Sequence, residues 1–179
     1  MGMIWKDEFF NGIWNVAKFA NDELELLKSR DKILEIYREC HSFLDFYERT
    51  KSIMEPAHGN SIFFSRRLSK IVNFVSKKME KGKKAKLWCY QQAILMAAGI
   101  KAVYSEWSND VGKFIGKGDF EFKFYVGRKE RSHVELVISK WNGKKIKAVS
   151  MDTHLEEHPF SWKGNARYLN SVMKTIQIK

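Results

Sequence analysis

The sequence predicts an α+β fold in which a helical N-terminal half precedes an antiparallel β-sheet. Apolar residues recur at near-helical spacing over residues 22–54 and again over residues 61–81. From residue 100 onward, several segments rich in Val, Ile, Phe, Tyr and Trp have the composition of strands. Helices followed by strands, without alternation, are typical of α+β proteins. We therefore expect a helical region over residues 1–82 and a sheet-bearing core over residues 83–179, joined as one compact unit.

Local signals predict where the helices begin and end. Asn21 or Asp22 can cap the first helix, and Pro56 breaks the chain after it. A third helix over residues 88–98 is short and almost wholly apolar, which predicts a central, buried position. Gly99 predicts the end of this helix, because glycine readily adopts the left-handed conformation at that point.

The predicted strands follow this helix, over residues 100–107, 120–126, 133–140 and 144–149. Asn142-Gly143 lies between the last two strands and predicts a hairpin with a two-residue type I′ turn. Residues 108–118 contain three glycines and predict a mobile loop.

Composition excludes several classes of protein. The 179 residues include 13 Phe, 6 Trp and 6 Tyr, enough apolar surface to disfavour a disordered chain. No segment approaches the about 18 consecutive apolar residues of a membrane-spanning helix, and the N-terminus lacks the pattern of a signal peptide. Two cysteines are too few for a disulfide scaffold or a four-cysteine zinc site. We expect a cytoplasmic protein without a membrane segment, a metal or another cofactor.

Positive charge is concentrated in one part of the chain. The net charge is +11, and residues 56–86 alone hold nine basic side chains against one acidic side chain. The lysine run from Lys77 to Lys86 could bind nucleic acid or an acidic partner. It could equally be a solvated helix end, since no RNA-binding or zinc-finger motif accompanies it. It ends three residues before Cys89, where it could also favour a thiolate.

A cysteine nucleophile needs a base to take its proton and a third group to orient that base. Cys89 lies where the third helix begins, so the helix dipole favours its thiolate. His133 opens the first strand of the predicted hairpin, and Asp152 follows the second. Each lies nine residues from Asn142-Gly143, so the equal arms predict that His133 and Asp152 lie opposite one another.

Three short motifs resemble those of the transglutaminase-like superfamily. LWCYQQA at residues 87–93, followed by GIKA at 99–102, resembles its cysteine helix and the turn into the first strand. SHVELV at 132–137 resembles its histidine strand, and MDT at 151–153 resembles its aspartate motif. The motifs also occur in the family's order of Cys, His and Asp.

The resemblance implies a papain-like α+β core with a catalytic triad. Cys89 would be the nucleophile, His133 the general base and acid, and Asp152 the orienting carboxylate. The shared chemistry is attack by a thiolate on an amide carbonyl of a protein or peptide substrate, which gives an acyl-enzyme. Water completes the reaction in a cysteine peptidase or related hydrolase, whereas an amine completes it in an acyltransferase. Candidates by chemistry alone for the second oxyanion donor are Gln91, Gln92, Asn73 and Trp107.

Alternatives to this interpretation remain open. Leu87 and Trp88 stand where many relatives have glycine, which leaves room for a binding protein that kept the fold and lost the activity, with its basic face on nucleic acid or an acidic partner. Trp88 and Trp107 could line a substrate groove, with Gln92 as a weaker candidate, or the tryptophans could simply pack against the sheet. The sequence does not address the oligomeric state.

Two further pairs are weak candidates for sites. Cys40 and His41 are neighbours on a predicted helix, so they point about 100° apart and do not face each other. His154 and His158 have the spacing of a metal-binding pair, but Pro159 follows at once and no third ligand is evident nearby. We expect a buried thiol at Cys40 and a solvated turn at the two histidines.

Overall fold

The computed structural model describes residues 22–57, 62–103, 121–127, 133–141, 146–151 and 172–178. Within these ranges the helices are α1 (Glu23–Ile36), α2 (Phe43–Ile53), α3 (Leu68–Glu80) and α4 (Cys89–Val103). The strands are β1 (Met54–Pro56), β2 (Ala85–Leu87), β3 (Glu121–Gly127), β4 (His133–Trp141), β5 (Ile146–Met151) and β6 (Val172–Ile178).

The single helix predicted over residues 22–54 is wrong, because the structure divides it into α1 and α2. Asp22 caps α1 as predicted, and its carboxylate accepts a hydrogen bond from the Glu25 N–H at 3.2 Å. A new helix then begins at Ser42, whose hydroxyl accepts from the Asp45 N–H at 3.0 Å. The Asp45 carboxylate accepts from the His41 N–H at 3.2 Å. The first bond satisfies an N–H group that a helix start leaves free, the second ties the residue before the cap to the helix, and together they fix the break.

Helix α3 is shorter than the predicted 61–81, since residues 62–67 are not helical. Arg67 gives α3 no side-chain cap, and α1 supplies the missing acceptor. The mostly buried Glu25 carboxylate accepts from the Ser69 N–H at 2.9 Å. A hydrogen bond with the Ser69 side chain and, to a lesser extent, this bond with its N–H lower the pKa of Glu25, so the carboxylate stays ionised at the positive end of α3. The contact joins α1 to the start of α3.

Helix α4 is the central element, as its apolar sequence predicts. Residues 90–100 are all buried, and α4 packs against α1, α3 and β4. The predicted end at Gly99 is wrong, as is a strand beginning at residue 100, because the helix continues to Val103. Gly99 serves close packing instead. A Cβ at this position would lie 2.8 Å from the Phe46 ring and 2.9 Å from the Tyr37 ring.

Two aromatic rings anchor the packing of α1, α2 and α4. Tyr37 and Phe46 stack with their centroids 4.4 Å apart and are almost completely buried. The Thr50 hydroxyl donates to the Phe46 carbonyl at 2.9 Å and accepts from the Tyr37 hydroxyl at 3.0 Å. Burial raises the pKa of Tyr37, so the phenol remains a donor at every ordinary pH.

The strands form two sheets. Strands β1 and β2 pair in parallel, with Met54 opposite Ala85 and Pro56 opposite Leu87. The other four strands form an antiparallel sheet in the order β5-β4-β3-β6. Because α4 packs against β4, the helix that begins at Cys89 and the strand that begins at His133 are neighbours. A papain-like or transglutaminase-like core stays a prediction.

Candidate functional site

Cys89 is the first residue of α4 and follows β2 after one residue. Its side chain is half-buried and its thiol is free. The first N–H groups of a helix have no partner within the helix and form its positive end. The backbone N–H groups there can receive negative charge that develops on a carbonyl oxygen.

Gln91 fixes the start of this helix. Its side-chain oxygen accepts from the Trp88 N–H at 2.9 Å, as the third residue of a helix does in a capping box. Its amide nitrogen donates to the Phe63 and Ser65 carbonyls, each at 3.0 Å. Gln91 is fully buried, and the three residues that it binds are half-buried. It is therefore a structural residue, which argues against its role as an oxyanion donor.

The non-helical residues 62–67, which we call the strap, lie over the start of α4. Gln91 holds two of the strap's carbonyls, and the Tyr90 hydroxyl donates to the one between them, that of Phe64, at 3.2 Å. The two residues that follow Cys89 on its helix thus bind three successive carbonyls of the strap. The sequence predicted a helix here, and the side chains that bind these carbonyls lie 26 to 28 residues away.

Gln92 also has a structural role. Its side chain is 2% exposed, and its amide donates to the Leu87 carbonyl at 3.0 Å. This bond joins α4 to the end of β2. The structure therefore does not favour Gln92 as a substrate-binding residue.

Among the other oxyanion candidates, the Asn73 side-chain oxygen accepts from the Lys32 ammonium, and Trp107 lies outside the described residues.

Trp88, the predicted substrate-binding residue next to Cys89, is half-buried. Its ring stacks on Phe64 of the strap, with centroids 5.8 Å apart and an interplanar angle of 14°. Phe64 is 58% exposed, so this aromatic pair presents an apolar surface to solvent beside the thiol. Within the part of the chain that the structure describes, the buried Trp88 indole N–H has no hydrogen-bond partner.

His133 is the first residue of β4 and pairs with Gly127 of β3. The predicted two-residue turn would pair Trp141 with Lys144, whereas the structure pairs Trp141 with Ile146. The predicted turn is therefore wrong, whereas the opposition of His133 and Asp152 stays a prediction. Asp152 itself lies outside the described residues.

The predicted burial of Cys40 is only partial, and the residue does not lie within a helix as predicted. It lies after α1, half-buried against the helical core, and its thiol is free. Burial raises the pKa of this thiol, so little thiolate forms near neutral pH.

His154 and His158 lie outside the described residues. In the ranges that the structure describes, no three His, Cys, Asp or Glu side chains gather in a way that could hold a metal ion.

A groove of about 710 Å³ adjoins the strap. Phe63 and Phe74 form one wall, with stacked rings whose centroids lie 4.2 Å apart. The Lys78 ammonium lies 5.5 Å from the centre of the Phe74 ring. The groove is lined by Glu55, Ile62, Phe63, Phe74, Lys78, Lys83, Lys84 and Lys86. The sequence identified these lysines but not the apolar wall. The wall depends on the strap, which the sequence predicted to be helical.

No family model, curated protein or solved structure matches this chain. The transglutaminase-like resemblance therefore rests on the three short motifs alone. None of the helices in the described ranges is long and apolar enough to cross a membrane.

Proposed function

We propose that the chain is a thiol enzyme that cleaves an amide bond through Cys89, in the manner of a cysteine peptidase or related hydrolase. The observation that carries the proposal is the position of Cys89 at the start of a buried helix that packs against the strand beginning at His133. Gln91 and Tyr90 hold that helix start firmly, as a reacting group requires.

In the proposed reaction, the Cys89 thiolate attacks the carbonyl carbon and a C–S bond forms. The carbonyl electron pair moves to the oxygen, which the backbone N–H of Cys89 stabilises. His133 gives its proton to the leaving amine as the C–N bond breaks, and Asp152 orients the imidazole. Water, deprotonated by His133, then releases the acid and the thiolate. An amine in place of water would make the same site an acyltransferase.

The groove lysines favour a second candidate, a binding protein without catalysis whose basic face takes nucleic acid or an acidic partner. This candidate predicts an unreactive Cys89. We also propose the cytoplasm as the compartment, which suits two free cysteines because thiols stay reduced there.

The proposed function predicts an acyl-enzyme at Cys89. Mixed with p-nitrophenyl acetate, the wild-type protein should release a burst of nitrophenolate stoichiometric with the chain, followed by slower turnover. Cys89→Ala should abolish the burst. Cys40→Ala is the matched control and should retain it, because the Cys40 thiol is held protonated by burial. A burst that survives Cys89→Ala in folded protein, as judged by circular dichroism, would contradict the proposal.

A further inference from the structure

The groove beside the strap combines two kinds of surface. Lys78, Lys83, Lys84 and Lys86 supply positive charge, and Glu55 is the one acidic residue among its lining residues. Lys83 and Lys84 are exposed, so their ammonium groups are available to a partner. The apolar part comes from the Phe63–Phe74 stack and from Ile62, which is 90% exposed. An occupant that complements both surfaces must carry negative charge and at least one apolar group.

An acidic peptide matches this lining better than a nucleic acid strand. Bases bind by stacking on free aromatic faces, but Phe63 and Phe74 stack on each other and Lys78 lies over Phe74. Ile62 offers an aliphatic contact, which suits a Leu or Phe side chain. Glu55 would repel a continuous phosphate backbone, whereas in a peptide complex its carboxylate can accept hydrogen bonds from backbone N–H groups.

The lining of the groove adjoins the thiol site along the chain. Lys86 lies in the groove three residues before Cys89. In the strap, Phe63 lines the groove, while its neighbour Phe64 stacks on Trp88, which directly precedes Cys89. A peptide that follows the strap would therefore pass from the lysines over the Phe64–Trp88 pair to the thiol.

We propose that this groove binds an acidic peptide segment with an apolar side chain and thereby docks the substrate of Cys89. The docking role rests on the proposed function, whereas the binding itself does not. The lysines hold the acidic side chains, the wall of Ile62 and Phe63 takes the apolar side chain, and the scissile amide lies beyond the Phe64–Trp88 pair.

Two double variants with the same change of net charge test the binding. Lys83→Glu with Lys84→Glu places acidic groups in the groove. Lys77→Glu with Lys81→Glu alters exposed lysines that do not line it. The probe is a fluorescein-labelled peptide of alternating Asp and Glu around one Leu, followed by fluorescence anisotropy at low salt. The groove variant should lose about tenfold or more in affinity and the control variant about twofold, because charge acts most strongly at short range.

Two further measurements test the apolar contact and the choice of partner. Ile62→Ser should weaken the Leu peptide but not the same peptide with Ser in place of Leu. Equal losses in both double variants, or an oligo-dT strand that binds more tightly than the peptide, would overturn the inference. Anisotropy measures binding without turnover, so the same measurement on Cys89→Ala separates the two proposals. If the protein binds the peptide but Cys89 forms no acyl-enzyme, the groove remains a peptide-binding site and the proposed enzymatic function is wrong.

Discussion

Replacing Gly99 by alanine is expected to destabilise the protein, although alanine is the better helix former. In an exposed helix the change would gain about 1 kcal/mol. Here the new Cβ would lie 2.8 Å from two carbons of the Phe46 ring and 2.9 Å from the Tyr37 ring. Both rings are buried and stacked, so neither can move aside freely. Overpacking of this kind costs about 1–3 kcal/mol, which exceeds the gain in helix propensity.

Urea unfolding followed by circular dichroism measures this effect. Phe46→Leu in the same chain is the control, because it shortens the side chain that the new methyl group meets. The double variant should lose less free energy of unfolding than the two single variants added together. A Gly99→Ala protein as stable as the wild type would show that α4 does not approach α1 and α2 as closely as described.

Gln91→Leu is expected to have the second large effect. Leucine has a similar volume but leaves the Trp88 N–H and the Phe63 and Ser65 carbonyls without their partner. Each lost bond at a buried site costs about 1 kcal/mol or more, so the free energy of unfolding should fall by about 3 kcal/mol. The strap should also loosen, with faster hydrogen exchange of its amides.

Tyr90→Phe is the graded control for Gln91→Leu. It removes one hydrogen bond from the same strap, the one to the Phe64 carbonyl, and it leaves no cavity. Its cost should be about 1 kcal/mol. If Gln91→Leu lost no more stability than Tyr90→Phe, the three bonds of Gln91 would not be what holds the strap on α4.

The sequence predicted the elements of the fold better than their ends. Periodicity and composition identified the buried helix that begins at Cys89 and the strand that begins at His133, because both signals are local. The start of α2 after Ser42 also has a local signal, a serine followed three residues later by Asp45. The apolar periodicity continues across this position, however, and it led to the prediction of a single helix. The strap could not be predicted, since its carbonyls bond to Tyr90 and Gln91 far along the chain. Tertiary contacts therefore overrode a strong local preference for helix in this segment.

The candidate site shows the same difference between features with local signals and features set by distant contacts. Cys89 at a helix start followed from sequence alone, and the structure describes it there. The hairpin register did not follow, because Asn142-Gly143 suits a two-residue turn and the ladder instead pairs Trp141 with Ile146. Gly99 was interpreted from its frequent role as a helix end, whereas its role here is to admit two rings from other helices. Distant packing partners leave no local pattern to detect.

The most direct test of the central claim, that His133 activates the Cys89 thiol, is the rate of alkylation by iodoacetamide at each cysteine, read by mass spectrometry. At neutral pH, Cys89 should react much faster than Cys40. The raised pKa of Cys40 keeps its thiol protonated there, so its labelling should rise only as the pH becomes alkaline. His133→Ala should slow Cys89 and leave Cys40 unchanged. Equal, slow labelling of both cysteines, or a Cys89 rate that His133→Ala does not alter, would contradict the claim.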